Sequence, residues 1–426
     1  MKYLIIGNGA AGIAAAEKIR KLDGQGEITI LTSEKYPVYS KCLLADFLSG
    51  DIPMERMFIR DEDFYEKKNL QICYNRKVTN IDFDLKQVYA GYVGSESPAV
   101  WVYNYDKLLI ATGSSHILPP IKGLDASNTY FLSSLDEARK IAEDAKNARR
   151  IIIIGGGFVG LEAAFNLYKT GKEVTIVERL PRILMGLLDE RASRIISNFV
   201  EQEGIRLIVN SSVSMVLTNF SSLLTGNSSK SVILDDGRRL KADMIISAAG
   251  TKPNLDFIKD PRMKINRGIV ADKYMQTSIK DVYAAGDIVE SIDAVTGRMS
   301  LSPIWPNAVI QGETAGSSMA GKERPLDSQI SMQNASEFRE IPMISMGITN
   351  PPEGGDCEEY IDYRPIENIY RKLVIKDNII IGMIFLGDIR NSGVIGALIK
   401  NKTNIRRLKS NLLNSNFGYS EVADLI

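Results

Sequence analysis

One pattern occurs twice in this chain, and it restricts the fold more than any other feature. Residues Tyr3 to Ile6 form a short apolar run, followed at once by Gly7-x-Gly9-x-x-Gly12 and an Ala-rich stretch (Ala14, Ala15, Ala16, Ile19). The fully apolar run Ile151 to Ile154 leads likewise into Gly155-x-Gly157-x-x-Gly160, then Leu161, Ala163, Ala164 and Leu167. Each reads as a strand, a tight turn and a helix. The first glycine permits the turn, the second lets the backbone approach a pyrophosphate, and the third lets helix and strand pack closely. The pyrophosphate would sit against the unpaired N–H groups and positive end of the helix.

A single such motif is weak, so its surroundings matter. After the first copy comes a second strand, Ile28 to Leu31, and then Glu34, about twenty residues beyond the glycines, where an acid can take ribose hydroxyls. After the second copy, Gly171 ends the helix, Glu173 to Val177 forms the next strand, and Glu178 stands at its end. Two complete copies imply two dinucleotides, or two halves built by internal repetition. Glu178 favours NADH, because a carboxylate repels a 2′-phosphate. Arg179 and Arg182 are close enough to soften that preference, so NADPH stays open, or they are solvated surface charges.

At 426 residues the chain is too long for one ordinary core, and two or three domains are expected. Lys+Arg and Asp+Glu both number 52, so the net charge of zero points to neither a nucleic-acid nor a membrane-surface partner. There is no apolar run of about twenty residues, hence no expected membrane span. The first strand starts by residue 3, which leaves no room for a signal peptide. Three cysteines, Cys42, Cys73 and Cys357, with no C-x-x-C pair, argue against a disulfide framework or a cysteine-held metal. The single histidine, His116, argues against catalysis by a His–acid pair and against metal binding by several histidines. A cytoplasmic protein without a metal site is the natural expectation.

Between the two copies, Tyr36 to Cys42 reads as a loop and Leu43 to Gly50 as a short helix. Residues 57–70 are expected to include another helix. Gln71–Tyr74, Lys86–Tyr89 and Val100–Tyr103 are expected as an antiparallel insertion. Tyr105–Gly113 reads as a strand ending in a small-residue turn, 114–123 as a linker, and 134–146 as a helix. Residues 206–250 look strand-rich, with a Ser/Asn loop at 218–231. Val282 to Ala285 is a strand, then Gly286, then Asp287 at the expected start of a helix. Pro303-Ile-Trp-Pro-Asn307 should lead into a further helix running roughly through Ala320. The last hundred residues contain apolar strands (372–375, 379–386) and a helical region at 394–413. The basic stretch 400–409 is a candidate docking patch or a solvated helix face.

With G-x-G-x-x-G (7–12), Ala111-Thr112-Gly113, G-x-G-x-x-G (155–160) and Gly286-Asp287 in this order, residues 1–325 resemble the FAD-dependent pyridine-nucleotide oxidoreductases of the glutathione-reductase structural type. Tyr39-Ser-Lys-Cys-Leu-Leu and the segment 371–390 look most like NADH:rubredoxin reductases and the NADH-dependent subunits of nitrite reductases. The resemblance implies an α/β fold with two Rossmann-like domains and a small C-terminal α/β domain. The FAD domain would span 1–115 and 247–325, the NADH domain 116–246 and the C-terminal domain 326–426. It places FAD on Gly7, Gly9, Ala10, Ala11 and Gly12, with Glu34 on the ribose and Val78, Ala111, Thr112, Gly113, Gly286 and Asp287 around it. It places NADH on Gly155, Gly157, Phe158, Val159, Gly160, Glu178 and Gly250. Glu162 falls near nicotinamide and flavin, and Lys41 where a basic residue often approaches the flavin. Trp305 matches a tryptophan near the isoalloxazine in ferredoxin reductases; a core or interface tryptophan fits as well.

The implied function is transfer of electrons from NADH through FAD to a small acceptor such as rubredoxin, ferredoxin or another iron–sulfur protein. No protein acid or base is required, since the cofactors supply the chemistry. Cys42 opens an alternative. It aligns with the single redox cysteine of NADH oxidases, peroxidases and coenzyme A disulfide reductases, and Lys41 could lower its pKa. Leu43 replaces the glycine usual after that cysteine, and a merely packed Cys42 fits too. A third reading is an NADH-sensing flavoprotein that regulates a partner. The resemblance also admits a homodimer. Cys73 is expected to be inert, Cys357 has no partner in view, and His116 has no role.

Overall fold

The computed structural model describes residues 1–61, 63–94, 100–218, 229–352, 354–409, 411–414 and 416–425. The chain divides into two compact units. The first comprises Met1–Ser40, Phe58–Ser115 and Lys252–Met332; the second comprises Lys41–Met57, His116–Thr251 and Gln333–Ile426.

The first unit is built on a five-stranded parallel sheet in the order Val282–Ala284, Lys107–Ile110, Lys2–Ile6, Glu27–Leu31, Gln71–Cys73. The central strand Lys2–Ile6 is buried on both faces, as its unbroken apolar run requires. The helix Ala10–Leu22 covers one face of this sheet and packs along the helix Trp305–Met319. The two backbones nearly touch: a side-chain carbon on Gly312 would lie 2.2 Å from the Ala11 carbonyl, and one on Gly316 2.6 Å from that of Ala15. Small residues on both helices are what this approach demands.

Several expectations need correction here. Gln71–Cys73 is the edge of the parallel sheet, and the antiparallel sheet is instead Arg76–Asp82, Gln87–Tyr92 and Trp101–Asn104. Arg76–Asp82 is half exposed, so its polar composition hid it. The helix expected within residues 57–70 is present and short, Phe64–Lys67. No helix starts at Asp287. Gly286 takes φ +88°, the chain turns, and the strand Val289–Ile292 follows.

The second unit repeats the arrangement. Its parallel sheet runs Arg206–Ile208, Glu173–Val177, Arg150–Ile154, Met244–Ser247, with the helix Phe158–Lys169 after the glycine turn. A three-stranded meander (Val213–Thr218, Lys230–Leu234, Arg239–Ala242) adjoins it. Most of the expected Ser/Asn loop, residues 219–228, lies outside the described residues. The segment 41–57 contributes the helix Leu44–Ser49, closed by Gly50 at φ +81° and packed on the helices Leu135–Ala145 and Phe158–Lys169. The C-terminal part is a five-stranded antiparallel sheet in the order Gln333–Phe338, Ile341–Gly347, Ile379–Leu386, Ile369–Lys376, Glu358–Arg364. Its helix, Ser392–Lys400, is shorter than the expected 394–413, and turns carry the chain onward through 409. Among the described residues, no helix is long and apolar enough to cross a membrane.

Candidate functional site

Each unit carries a glycine cradle, and the carbonyls that support the two correspond. Gly7 has φ +117° and Gly155 has φ +116°, a region costly for other residues. A side-chain carbon on Gly7 would lie 2.1 Å from the Ala111 carbonyl, and one on Gly155 2.4 Å from that of Ala248. Carbons on Gly12 and Gly160 would each lie 2.0 Å from the carbonyl of the cradle's first glycine. The second glycine differs from these in both cases. Around Gly9 and Gly157 such a carbon would meet nothing within 4 Å. Both are N-cap residues, and neither helix has a side-chain cap bond. Each cradle therefore joins tight packing behind with open space in front, where helix N–H groups lack side-chain partners. That is the shape and polarity a pyrophosphate needs.

The acids are held differently. Glu178 accepts hydrogen bonds from the Gly156 N–H at 2.6 Å and the Leu180 N–H at 2.7 Å, so it is locked to its own glycine turn. Glu34 accepts from the Tyr39 hydroxyl at 2.6 Å. The sequence marks Tyr39 only as part of the Tyr39-Ser-Lys-Cys-Leu-Leu stretch, with no signal that it orients this acid.

Around the first cradle, Ala111 supplies the carbonyl behind Gly7. Thr112 and Gly113 are held by Asn254, whose Nδ2 donates to the Thr112 carbonyl at 2.9 Å and whose backbone N–H donates to that of Gly113 at 3.0 Å. Asp287 accepts from Ser114 Oγ at 3.0 Å, and the Gly286 N–H donates to the buried Gln311 Oε1 at 2.8 Å. Gly286 lies against Ala11, so the Gly-Asp turn abuts the first helix. Trp305 is half-buried and lines a groove of about 410 Å³ with Ala10, Ala14 and Arg60. Val78 differs: its side chain is buried in the core of the first unit, in one cluster with Leu4, Leu31 and Val88. Asn254 and Gln311 escaped sequence reading, having no periodic or motif signal.

Around the second cradle, Phe158 and Val159 open the helix, and Val159 is exposed. Gly250, at φ +105°, accepts from the Ile117 N–H at 2.9 Å. Glu162, one turn into the helix, is half-buried and accepts from Ser336 Oγ at 2.9 Å. Burial pushes its carboxyl above the ordinary range; the Ser336 bond opposes this and the nearby Asp46 charge adds to it. Lys41 and Cys42 are both exposed, in the 3₁₀ turn Lys41–Leu43 that leads into the helix Leu44–Ser49. That helix is tied to the Glu162 helix by Asn166 Nδ2 to Asp46 (3.4 Å), and the residue after its Gly50 cap, Asp51, accepts from Lys169 Nζ at 3.0 Å.

The chain is similar to known proteins along nearly its whole length. The pyridine nucleotide-disulphide oxidoreductase profile matches residues 1–312, and that of the rubredoxin NAD+ reductase C-terminal domain matches 337–403. The NADH-dependent phenylglyoxylate dehydrogenase subunit epsilon of Aromatoleum evansii is 31% identical over 96% of this chain and 94% of that protein. Among solved structures, an NAD-dependent persulfide reductase from A. fulgidus superposes with a TM-score of 0.85 at 28% identity, over 96% of this chain and 79% of that one. The NADH:rubredoxin oxidoreductase of Clostridium acetobutylicum gives a TM-score of 0.75 at 28% identity, over 96% of this chain and 97% of that one.

Proposed function

The chain belongs to the pyridine nucleotide-disulphide oxidoreductases, FAD-dependent enzymes that use NAD(P)H, and from that premise we propose that it carries electrons from NADH through FAD to a small iron–sulfur or rubredoxin-like protein. The observation that carries this reading is the pair of cradles, each with an open second glycine at the start of a helix without a side-chain cap. FAD, when bound, accepts a hydride's two electrons and can release them one at a time. The protein's part is to bind and orient. Gly7, Gly9 and Gly12 receive the FAD pyrophosphate, Glu34 the ribose, and Asp287 and Thr112 the groups beside the Gly-Asp turn. Gly155, Gly157 and Gly160 receive the NADH pyrophosphate, and Glu178 its adenosine ribose. Glu178 is fixed by two backbone donors, and its charge disfavours a 2′-phosphate. The likeness of the C-terminal sheet to the rubredoxin NAD+ reductase C-terminal domain supports the choice of acceptor.

The test is steady-state reduction of purified rubredoxin and ferredoxin by the holoenzyme with NADH or NADPH. Many turnovers with an iron–sulfur acceptor, and a kcat/KM for NADH at least tenfold that for NADPH, agree with the proposal. Slow or single turnover with every such protein sinks it.

One observation favours a second reading: Cys42 is exposed. In that reading its thiolate reduces oxygen, peroxide or a disulfide substrate. The Cys42→Ser variant separates the two, because it keeps full turnover with an iron–sulfur acceptor under the first and loses turnover under the second.

A further inference from the structure

The loop 179–188, which connects Glu178 to the helix Glu190–Gln202, is braced on several sides. At its start, the Leu180 N–H donates to Glu178 and the Leu180 carbonyl accepts from the Asn210 N–H at 2.9 Å. In its middle, the Leu184 N–H donates to the Gly156 carbonyl at 3.0 Å, and Ile183 packs on Gly156 so closely that a side-chain carbon there would lie 2.8 Å away. Leu184 takes φ +52°, which a leucine adopts only where its surroundings impose it. The loop thus touches both the glycine turn and its acid.

Its far end is held by the C-terminal sheet. Asp189 caps the following helix through Oδ1, which accepts from the Ala192 N–H at 3.0 Å. Its Oδ2 accepts from the Tyr370 hydroxyl at 2.5 Å and from Lys372 Nζ at 3.2 Å. Asn350 Nδ2 donates to the Leu188 carbonyl at 3.1 Å. Tyr370 and Lys372 are two apart on the strand Ile369–Lys376, so they project from one face. They are 0% and 4% exposed, and Glu359, at 2.8 Å from Lys372, is the further ion partner. Buried polar groups of this kind are costly without partners, so the sheet and Asp189 fix one another's position.

We infer that Asp189, Tyr370 and Asn350 form a latch through which the C-terminal sheet sets the loop 179–188, and thereby the affinity of the second cradle for its nucleotide. These are positioning residues; none of them is assigned to the nucleotide itself. The inference rests on reading the second cradle as the NADH site.

The experiment measures KM for NADH and kcat for the holoenzyme and for Tyr370→Phe, Asp189→Asn and Asn350→Ala, together with the dissociation constant of NAD⁺. Tyr370→Phe removes one hydroxyl, and Asp189→Asn keeps the size and capping oxygen. Each should raise KM and the NAD⁺ dissociation constant about fivefold and leave kcat within about twofold. The Asp189→Asn/Tyr370→Phe double variant should be no worse than the poorer single one, as for two ends of one bond. Ile399→Ala, buried in the helix Ser392–Lys400, is the control for general loosening of the C-terminal part and should leave KM unchanged. If the latch variants only melt earlier and keep their KM, the latch has no role in binding and the inference is overturned. Glu178→Ala separates the failures. If it raises KM while the latch variants do not, the latch alone falls. If it too leaves KM unchanged, the reading of the cradle falls with it. Should Tyr370→Phe not fold, Asn350→Ala tests the same loop from its other anchor.

Discussion

Ser336 Oγ donates a 2.9 Å hydrogen bond to the carboxyl of Glu162, joining the first strand of the C-terminal sheet to the helix that opens at the second cradle. The bond stabilises the charged form of a carboxyl that burial otherwise pushes toward neutrality. Ser336→Ala removes the opposing influence, so the Glu162 pKa should rise further. The pH profile of NADH-driven flavin reduction, followed by stopped flow, should move its Glu162-dependent limb to higher pH. An unmoved profile would mean that this carboxyl does not titrate in the reductive step.

The same group makes a stability prediction. Its folded pKa is raised, so the folded chain binds the proton more tightly than the unfolded chain. Its contribution is therefore most favourable below the ordinary glutamate range and is lost as pH rises toward the folded value. Glu162→Gln should melt at a higher temperature than the parent at pH 8, and the difference should shrink at pH 4. Calorimetry at the two pH values checks the sign.

The glycines give a paired test. Gly12→Ala and Gly160→Ala place a carbon 2.0 Å from a carbonyl oxygen and should disrupt folding of the cradle itself. Gly9→Ala and Gly157→Ala meet no protein atom within 4 Å, so folding should survive. What they obstruct is the space read as holding pyrophosphate. Gly9→Ala should purify with depleted FAD; Gly157→Ala should keep FAD and raise KM for NADH about tenfold or more. Flavin content by absorbance and the NADH kinetics together distinguish the two cradles.

In the first unit, Asp281 lies between Lys107 at 2.6 Å and Lys86 at 2.7 Å. Burial raises its pKa, but the two ammonium groups outweigh this and hold the carboxyl below the ordinary aspartate range. A depressed value means stability that is present above the unfolded pKa and lost as pH falls through the folded one. Lys86 is nearly half exposed, so Asp281→Asn should cost only about 1 kcal/mol at pH 7. Chemical denaturation should show that cost vanishing below the ordinary aspartate range.

The parts legible in the sequence are those with a local physical requirement. Gly7 and Gly155 must turn where other residues are strained, so both cradles and the strands and helices flanking them could be placed from the local sequence pattern. The Gly286-Asp287 landmark was legible but its continuation was not. The Gly286 N–H is taken by Gln311, 25 residues away, and the chain returns into a strand where a helix was expected. Asn254, Gln311, Ser336 and Asp189 share this character. Each acts through a partner 25 to 181 residues distant, and nothing in the neighbouring sequence marks the pairing. Arg76–Asp82 was missed for another reason, because a half-exposed strand of mixed polarity carries no clean alternation.

The most direct test of the account is an anaerobic titration of the purified yellow protein with NADH, following the flavin spectrum. The account predicts complete bleaching at one NADH per FAD, with no long-wavelength band, because the flavin is the redox centre that NADH reduces and Cys42 stays outside the chemistry. Uptake of a second equivalent, with a thiolate–flavin charge-transfer band, would contradict it and place Cys42 in the electron path.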